Sequence, residues 1–296
     1  MRRRNTWSIV VAFCLLLATV ATAPLAHAAK FRILVGNDDG VGAEGIAELV
    51  KVLTADSSLD VSVYAPATNQ SGTGDRFTTG PLTVLPATTA DGYPAFSVAG
   101  FPADGILFGV QQGLSQRPDL VITGINEGQN VGDLVNISGT VGAALWAVRL
   151  GIPAFAVSQG LGANIDYEEA AHYTHKLVNL YRGNSIFRAR LGGGRAPAKI
   201  LNINFPTCTT GSVRGVRAVP LGRAQVVVGY EQGASSDVWD PVVVRTPIGS
   251  NDCDSSLKNP TTDLEAMNNG FASVTPLNAD LANDGLIRPI LRFVQE

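Results

Sequence analysis

From Lys30 onward the chain alternates between short apolar runs and segments with helical spacing. Phe31-Arg32-Ile33-Leu34-Val35 is nearly continuous in apolar residues, the pattern of a strand buried on both faces of a parallel sheet. Ile46, Leu49, Val50 and Leu53 follow at spacings of three and four, which is one face of a helix. Val61–Ala65 and Asp119–Thr123 repeat the strand pattern. Val141–Leu150 predicts a buried helix closed by Gly151 at its C-terminal cap. Pro153–Val157 returns to strand, Tyr167–Tyr181 is an amphipathic helix, and Ile200–Phe205 is strand again. Strand–helix–strand alternation of this kind predicts an α/β fold, Rossmann-like, with a mostly parallel sheet and helices on both faces. After about Val213 the pattern changes. Gln225–Tyr230 and Val238–Val244 read as the two arms of a C-terminal β-hairpin projecting from the core, an excursion spanning about 213–260. Phe271–Thr275 is strand-like, and a short helix is expected at the chain end.

The first 28 residues break the pattern. Arg2, Arg3 and Arg4 precede an apolar run from Ile9 to Val20, and Ala26-His27-Ala28 supplies a small-x-small cleavage pattern. The expectation is a signal peptide over 1–28, a mature start at Ala29, a secreted or periplasmic protein, and no stable membrane association after cleavage. An uncleaved anchor is the competing reading. The rest, 29–296, is expected to form a single domain, since 45% hydrophobic content supplies apolar surface for one core. Without 1–28 the chain carries 19 basic and 25 acidic residues, a net charge of −6. With no Lys/Arg cluster after the signal, a nucleic-acid polymer is not an expected partner. Cys208 and Cys253 remain as an even pair in an oxidising compartment, which predicts a disulfide; two unpaired thiols are the alternative.

Polar chemistry gathers where the strand patterns end. The first strand runs into Asn37-Asp38-Asp39-Gly40. Ligand sites of open parallel sheets lie at the carboxyl ends of strands. Adjacent carboxylates repel, and a divalent cation relieves that cost; the competing reading of either Asp is a helix cap. Asn69-Gln70-Ser71-Gly72 follows the second strand, and Gly124-Ile125-Asn126-Glu127-Gly128-Gln129-Asn130 follows the third. Each is also plain turn chemistry. Ser138-Gly139-Thr140 opens the apolar helix, where hydroxyls and free N–H groups suit an anion, or where Ser138 or Thr140 is only an N-cap. These donors are all oxygen, which suits Mg²⁺ or Mn²⁺ rather than zinc. His172 and His175 sit together on the Tyr167–Tyr181 helix and read as a solvated face. No Gly-x-Ser-x-Gly elbow, Walker loop or Gly-x-Gly-x-x-Gly after the first strand occurs, which disfavours α/β-hydrolase, ATPase and dinucleotide chemistry.

Taken in order, these segments resemble the SurE family of survival-protein nucleotidases. So do Leu201-Asn202-Ile203-Asn204-Phe205-Pro206, Thr262-Asp263 and Gly270–Leu277. The resemblance implies a Rossmann-like fold and hydrolysis of nucleoside 5′- or 3′-monophosphates with one divalent metal per subunit. By matching, Asp38, Asp39, Ser71 and Asn126 are the implied metal ligands, with Asp38 and Asp39 catalytic. Asn130, Ser138, Gly139 and Thr140 are the implied phosphate pocket, and Asn37 is grouped with them on the substrate side. A homodimer or homotetramer with exchanged hairpins is also implied. Thr73-Gly74-Asp75-Arg76 and Gly100-Phe101-Pro102-Ala103-Asp104-Gly105 depart from the family pattern. The alternative function is a secreted protein that binds a phosphate ester or metal without turnover.

Overall fold

A computed structural model describes residues 29–192, 197–223, 227–243 and 251–278. The expected signal peptide, the expected terminal helix, and Gln225, Val226 and Val244 of the hairpin lie outside these residues. The elements are β1 (Phe31–Gly36), α1 (Glu44–Thr54), β2 (Leu59–Pro66), β3 (Val84–Thr88), β4 (Pro94–Val98) and α2 (Pro102–Phe108). Then follow β5 (Leu120–Glu127), α3 (Gly139–Arg149), β6 (Ala154–Gln159), α4 (Glu168–Gly183), α5 (Ser185–Leu191) and β7 (Lys199–Phe205). The chain continues through β8 (Val216–Ala218), β9 (Val227–Gln232), β10 (Trp239–Val243), α6 (Asp263–Asn268) and β11 (Ala272–Asn278).

One sheet carries the strand order β3-β4-β2-β1-β5-β6-β7-β11-β8. β2, β1, β5, β6 and β7 run parallel, while β3 and β11 pair antiparallel to their neighbours β4 and β7. The central strands are buried and largely apolar on both sides because each side is covered. Ile33 and Val35 of β1 pack with Ile46, Leu49, Val50 and Leu53 of α1 and with Val178 and Tyr181 of α4. Leu34, between them, packs on the opposite face with Ile106 of α2 and with Val141, Ala144 and Val148 of α3. Alternation along one strand thus feeds two cores, and each fully buried Leu or Ile contributes about 1.5–3 kcal/mol. The helices therefore lie on both faces, as the periodicity predicts.

β9 and β10 form a separate antiparallel ribbon, the projecting hairpin expected from the sequence. Tyr230, Val238, Trp239 and Val242 are exposed on it. Cys208 and Cys253 are joined by a disulfide across a sequence separation of 45, tying the segment after β7 to the segment before α6. Closing a loop of that length restricts the unfolded chain and typically stabilises by about 2–4 kcal/mol. Among the described residues, no helix is long and apolar enough to cross a membrane.

The sheet sets the place for a site. From β1 the chain passes to β2 on one side, and it later returns to β5 on the other side of β1. The crevice above the carboxyl ends of β1 and β5 is the topological switch point, where open α/β sheets bind ligands.

Candidate active site

β1 ends at Gly36, and Asn37, Asp38 and Asp39 form the turn beyond it. Asn37 is fully buried, and its amide bonds Gly40 twice: Nδ2 donates to the Gly40 carbonyl at 2.7 Å and Oδ1 accepts from its N–H at 3.3 Å. Its side chain therefore shapes the turn in this structure. Gly40 takes φ 110°, a left-handed conformation that glycine supplies without a Cβ clash. α1 begins only at Glu44, with Ala43 at its N-cap. Neither aspartate caps it, so the helix-cap reading of the pair falls away.

Asp38 is 2% exposed and points at the N-terminus of α3. Its Oδ1 accepts from Thr140 Oγ1 at 2.6 Å. The helix comes this close because Gly139 has no side chain: a Cβ there would sit 2.8 Å from Asp38 Cβ and 3.0 Å from Pro102 Cγ. Ser138 is the N-cap, its Oγ accepting from the Val141 N–H at 3.1 Å. The Ser and Thr hydroxyls thus have structural partners of their own, and the positive end of the helix macrodipole faces a carboxylate. Burial pushes the Asp38 carboxyl above the usual carboxylate range, opposed by the Thr140 hydroxyl and backbone, which favour the charged form.

Asp39 is less enclosed. Its Oδ2 accepts from the Glu127 N–H at 2.9 Å, which ties the β1 turn to the end of β5. Asn69 Nδ2 lies 3.4 Å from its Oδ1. Burial first, and then the charge of Asp38, push this carboxyl up to about 7, against the Glu127 N–H. Two neighbouring acids that both resist ionisation form a site for a compensating positive charge.

The remaining candidates converge on this pair. The Gln70 N–H donates to the Asp38 carbonyl at 2.7 Å, which brings exposed Ser71 to the rim. Asn126, next to Glu127, is buried; its Nδ2 donates to the Gly128 carbonyl, and its Oδ1 is a buried oxygen without a hydrogen-bond partner. Buried polar atoms in folded proteins nearly all have partners, so this oxygen, one residue before the Glu127 N–H that meets Asp39, is free to meet a cation or a donor. Asn130 Nδ2 donates to Ser158 Oγ at 2.9 Å and lies 3.3 Å from Thr140 Oγ1.

Two carboxylates, an orphaned amide oxygen and an exposed hydroxyl are all hard oxygen donors, and they fit a divalent cation of the Mg²⁺ or Mn²⁺ type. Among the described residues, no group of three or more His, Cys, Asp and Glu side chains is gathered to hold a metal ion. His172 and His175 point to Glu168 and Asp56, away from the site.

Sequence reasoning did not assign roles to Glu127, Ser158 and Asp263. The Glu127 contact is made by its backbone, which has no side-chain signature. Ser158 is the only polar residue of β6 before Gln159, a hint that its face meets something polar. Asp263 is fully buried and accepts from Gly132 N–H at 2.9 Å and Gly222 N–H at 2.6 Å, so it steadies the loop beyond Asn130.

Comparison with known proteins agrees with this geometry. The family model described as survival protein SurE matches residues 33–227. The 5′-nucleotidase SurE of Paramagnetospirillum magneticum is 35% identical over 266 residues, covering 88% of this chain and 94% of that protein. The 5′/3′-nucleotidase SurE of Citrobacter koseri is 37% identical over 254 residues, covering 84% of this chain and 91% of that protein. The crystal structure of the Aquifex aeolicus SurE protein superposes with a TM-score of 0.71 at 28% identity, over 90% of this chain and all of that one. The chain belongs to the SurE family.

Proposed function

We propose that this protein is a divalent-metal-dependent 5′/3′-nucleotidase that hydrolyses nucleoside monophosphates to nucleoside and phosphate. The observation that carries the reading is the pairing of two ionisation-resistant aspartates with the orphaned Asn126 oxygen at the switch point of the sheet. The names of the relatives from Paramagnetospirillum magneticum and Citrobacter koseri supply the substrate class.

Asp38, Asp39, Asn126 and Ser71 would hold the cation. The chemistry supplied by a divalent ion held there is polarisation of a phosphoryl oxygen and a lower pKa for water. Asn130, whose Nδ2 reaches Ser158 and Thr140, holds the Ser138-Gly139-Thr140 start of α3 in place, and the backbone of that helix start faces the side where phosphoryl oxygens gather charge in the transition state. The Thr140 hydroxyl favours the charged form of Asp38 against its burial and fixes the direction of its carboxyl. Asp39 Oδ1, with Asn69 Nδ2 a long 3.4 Å away, is the carboxylate oxygen placed to take a proton from the attacking water. Export through the first 28 residues and a homo-oligomer with exchanged hairpins complete the proposal.

The direct test is phosphate release from 5′- and 3′-nucleoside monophosphates, before and after chelation. EDTA is expected to abolish release, and Mn²⁺ or Mg²⁺ to restore it. Release that survives chelation removes the metal from the mechanism, and no release with metal supplied removes the nucleotidase reading.

Cation uptake should also depend on pH. A carboxyl raised to about 7 favours its protonated form in the metal-free fold, so binding below that pH must displace a proton. Mn²⁺ affinity is expected to rise by up to about tenfold per pH unit between pH 5 and 7 and to level above. Calorimetric titrations giving a flat affinity over that range would contradict the assignment of Asp39 as a ligand.

A further inference from the structure

β7 reads Leu201-Asn202-Ile203-Asn204-Phe205, and its two asparagines stand on one face. Leu201, Ile203 and Phe205 alternate with them and belong to the core beneath α4. Asn202 and Asn204 are both fully buried on the other face. A central strand of this kind is otherwise apolar, and an aliphatic side chain would fill the same space. The fold alone therefore does not ask for amides here.

Both amides are directed at a single residue. Asn204 Oδ1 accepts from the backbone N–H of Asn130 at 2.7 Å, and its Nδ2 donates to the Asn130 carbonyl at 3.2 Å. Asn202 Nδ2 donates to that same carbonyl at 2.7 Å. The Asn204 amide thus pairs with the Asn130 backbone as a neighbouring strand would, holding its donor and acceptor together. With its backbone fixed, Asn130 reaches Ser158 Oγ at 2.9 Å and Thr140 Oγ1 at 3.3 Å, and Thr140 in turn holds Asp38. A continuous chain of hydrogen bonds runs from β7 through Asn130 to the buried aspartate. The spans are long in sequence: 74 residues separate Asn130 from Asn204 and 102 separate Thr140 from Asp38.

We infer that Asn204, assisted by Asn202, is a positioning residue for phosphoester hydrolysis: it locks the Asn130 backbone so that the Asn130 amide holds Thr140 and the start of α3 in register with Asp38 and the phosphoryl group. This inference rests on the nucleotidase reading. Displacing a group by about 1 Å costs on the order of 10²-fold in rate where geometry governs catalysis.

The test is a double-mutant cycle on the full chain supplied with Mn²⁺. Asn204→Leu is expected to lower kcat/KM on a nucleoside monophosphate by on the order of 10²-fold. Inhibition by inorganic phosphate should weaken at least about tenfold, while Mn²⁺ affinity stays within about twofold of wild type. Asn130→Ala should produce a similar loss. If Asn204 acts through Asn130, the double variant falls no more than about twofold below Asn130→Ala alone. Losses that multiply, or an Asn204→Leu protein with wild-type kcat/KM, overturn the proposal while wild-type turnover leaves the nucleotidase reading standing. A wild type without turnover removes both. Should Asn204→Leu not fold, Asn202→Ala removes one of the two donors to the Asn130 carbonyl and enters the same cycle. Its smaller loss, about threefold, should likewise vanish in the Asn130→Ala background.

Discussion

Replacing Asp39 with Asn is expected to lower phosphate release from a nucleoside monophosphate by on the order of 10³-fold, about 4 kcal/mol of transition-state stabilisation. Asn keeps the shape of the side chain and an oxygen to accept from the Glu127 N–H, so the tie between β1 and β5 survives. What is lost is one negative charge beside Asp38. A cation held by two carboxylates is then held by one, and the oxygen placed to take a proton from water becomes an amide. The same change has an opposite effect on the metal-free fold. Burial and the neighbouring charge make ionised Asp39 unfavourable, since its carboxyl is pushed up to about 7. Removing that charge relieves the repulsion on Asp38. The metal-free variant should therefore melt at or above the wild-type temperature at pH 8, where wild-type Asp39 is ionised. Adding Mn²⁺ should raise the melting temperature of the wild type much more than that of the variant. Melting curves with and without Mn²⁺, together with kcat/KM, check this. Turnover within tenfold of wild type, or a metal-free variant that is grossly destabilised, would count against the acids as a cation seat.

Those acids were legible because they end a strand whose burial is plain in the sequence. Phe31–Val35, Val61–Ala65, Pro153–Val157 and Ile200–Phe205 each mark a central strand, buried because helices cover both sides of the sheet, and largely apolar apart from the Asn202 and Asn204 face of β7. The edge was not legible for the converse reason. β3 is mostly exposed and contains Pro86, and β4 begins at Pro94, so neither shows a continuous apolar run. α2, seven residues long and opened by Pro102, is too short to display a helical period. β5 extends to Glu127, past the predicted end at Thr123. Gly124 and Asn126 read as turn formers, yet the strand continues through them with a register shift, so Asn126 sits at a strand end instead of in a loop. The deeper layer of the site depended on strand order, which local pattern does not contain. Ser158, Asn202 and Asn204 meet Asn130 only because β6 lies beside β5 and β7 beside β6.

Strand order also explains where the fold tolerates least. Gly45 lies in the first turn of α1, where α1 crosses the end of β5. A Cβ on Gly45 would sit 2.0 Å from the Ile125 carbonyl oxygen and 3.2 Å from Tyr167 Cε1. In an isolated helix Gly→Ala gains about 1 kcal/mol, so propensity alone predicts a stabilised variant. Here the obstacle is backbone and has no rotamer to escape into. α1 must move off the sheet, opening the contacts of Ile46 and Leu49 with Ile33 and Ile122 in the core. Forcing atoms into packed space of this kind costs about 3 kcal/mol or more, which exceeds the propensity gain. With the propensity gain set against this cost, a net of about 2 kcal/mol remains, and Gly45→Ala is expected to lower Tm by roughly 4–8 °C. It should also weaken activity, because a shifted α1 carries the Asp39 turn away from Glu127. Gly42 supplies the contrast. It is three residues away with nothing within 4 Å of a Cβ, so Gly42→Ala should leave Tm unchanged or slightly raised, by restricting the unfolded chain. Differential scanning calorimetry on the two variants separates close approach from chain entropy. A Gly45→Ala protein that melts with or above wild type would mean that α1 does not bear on β5 as described.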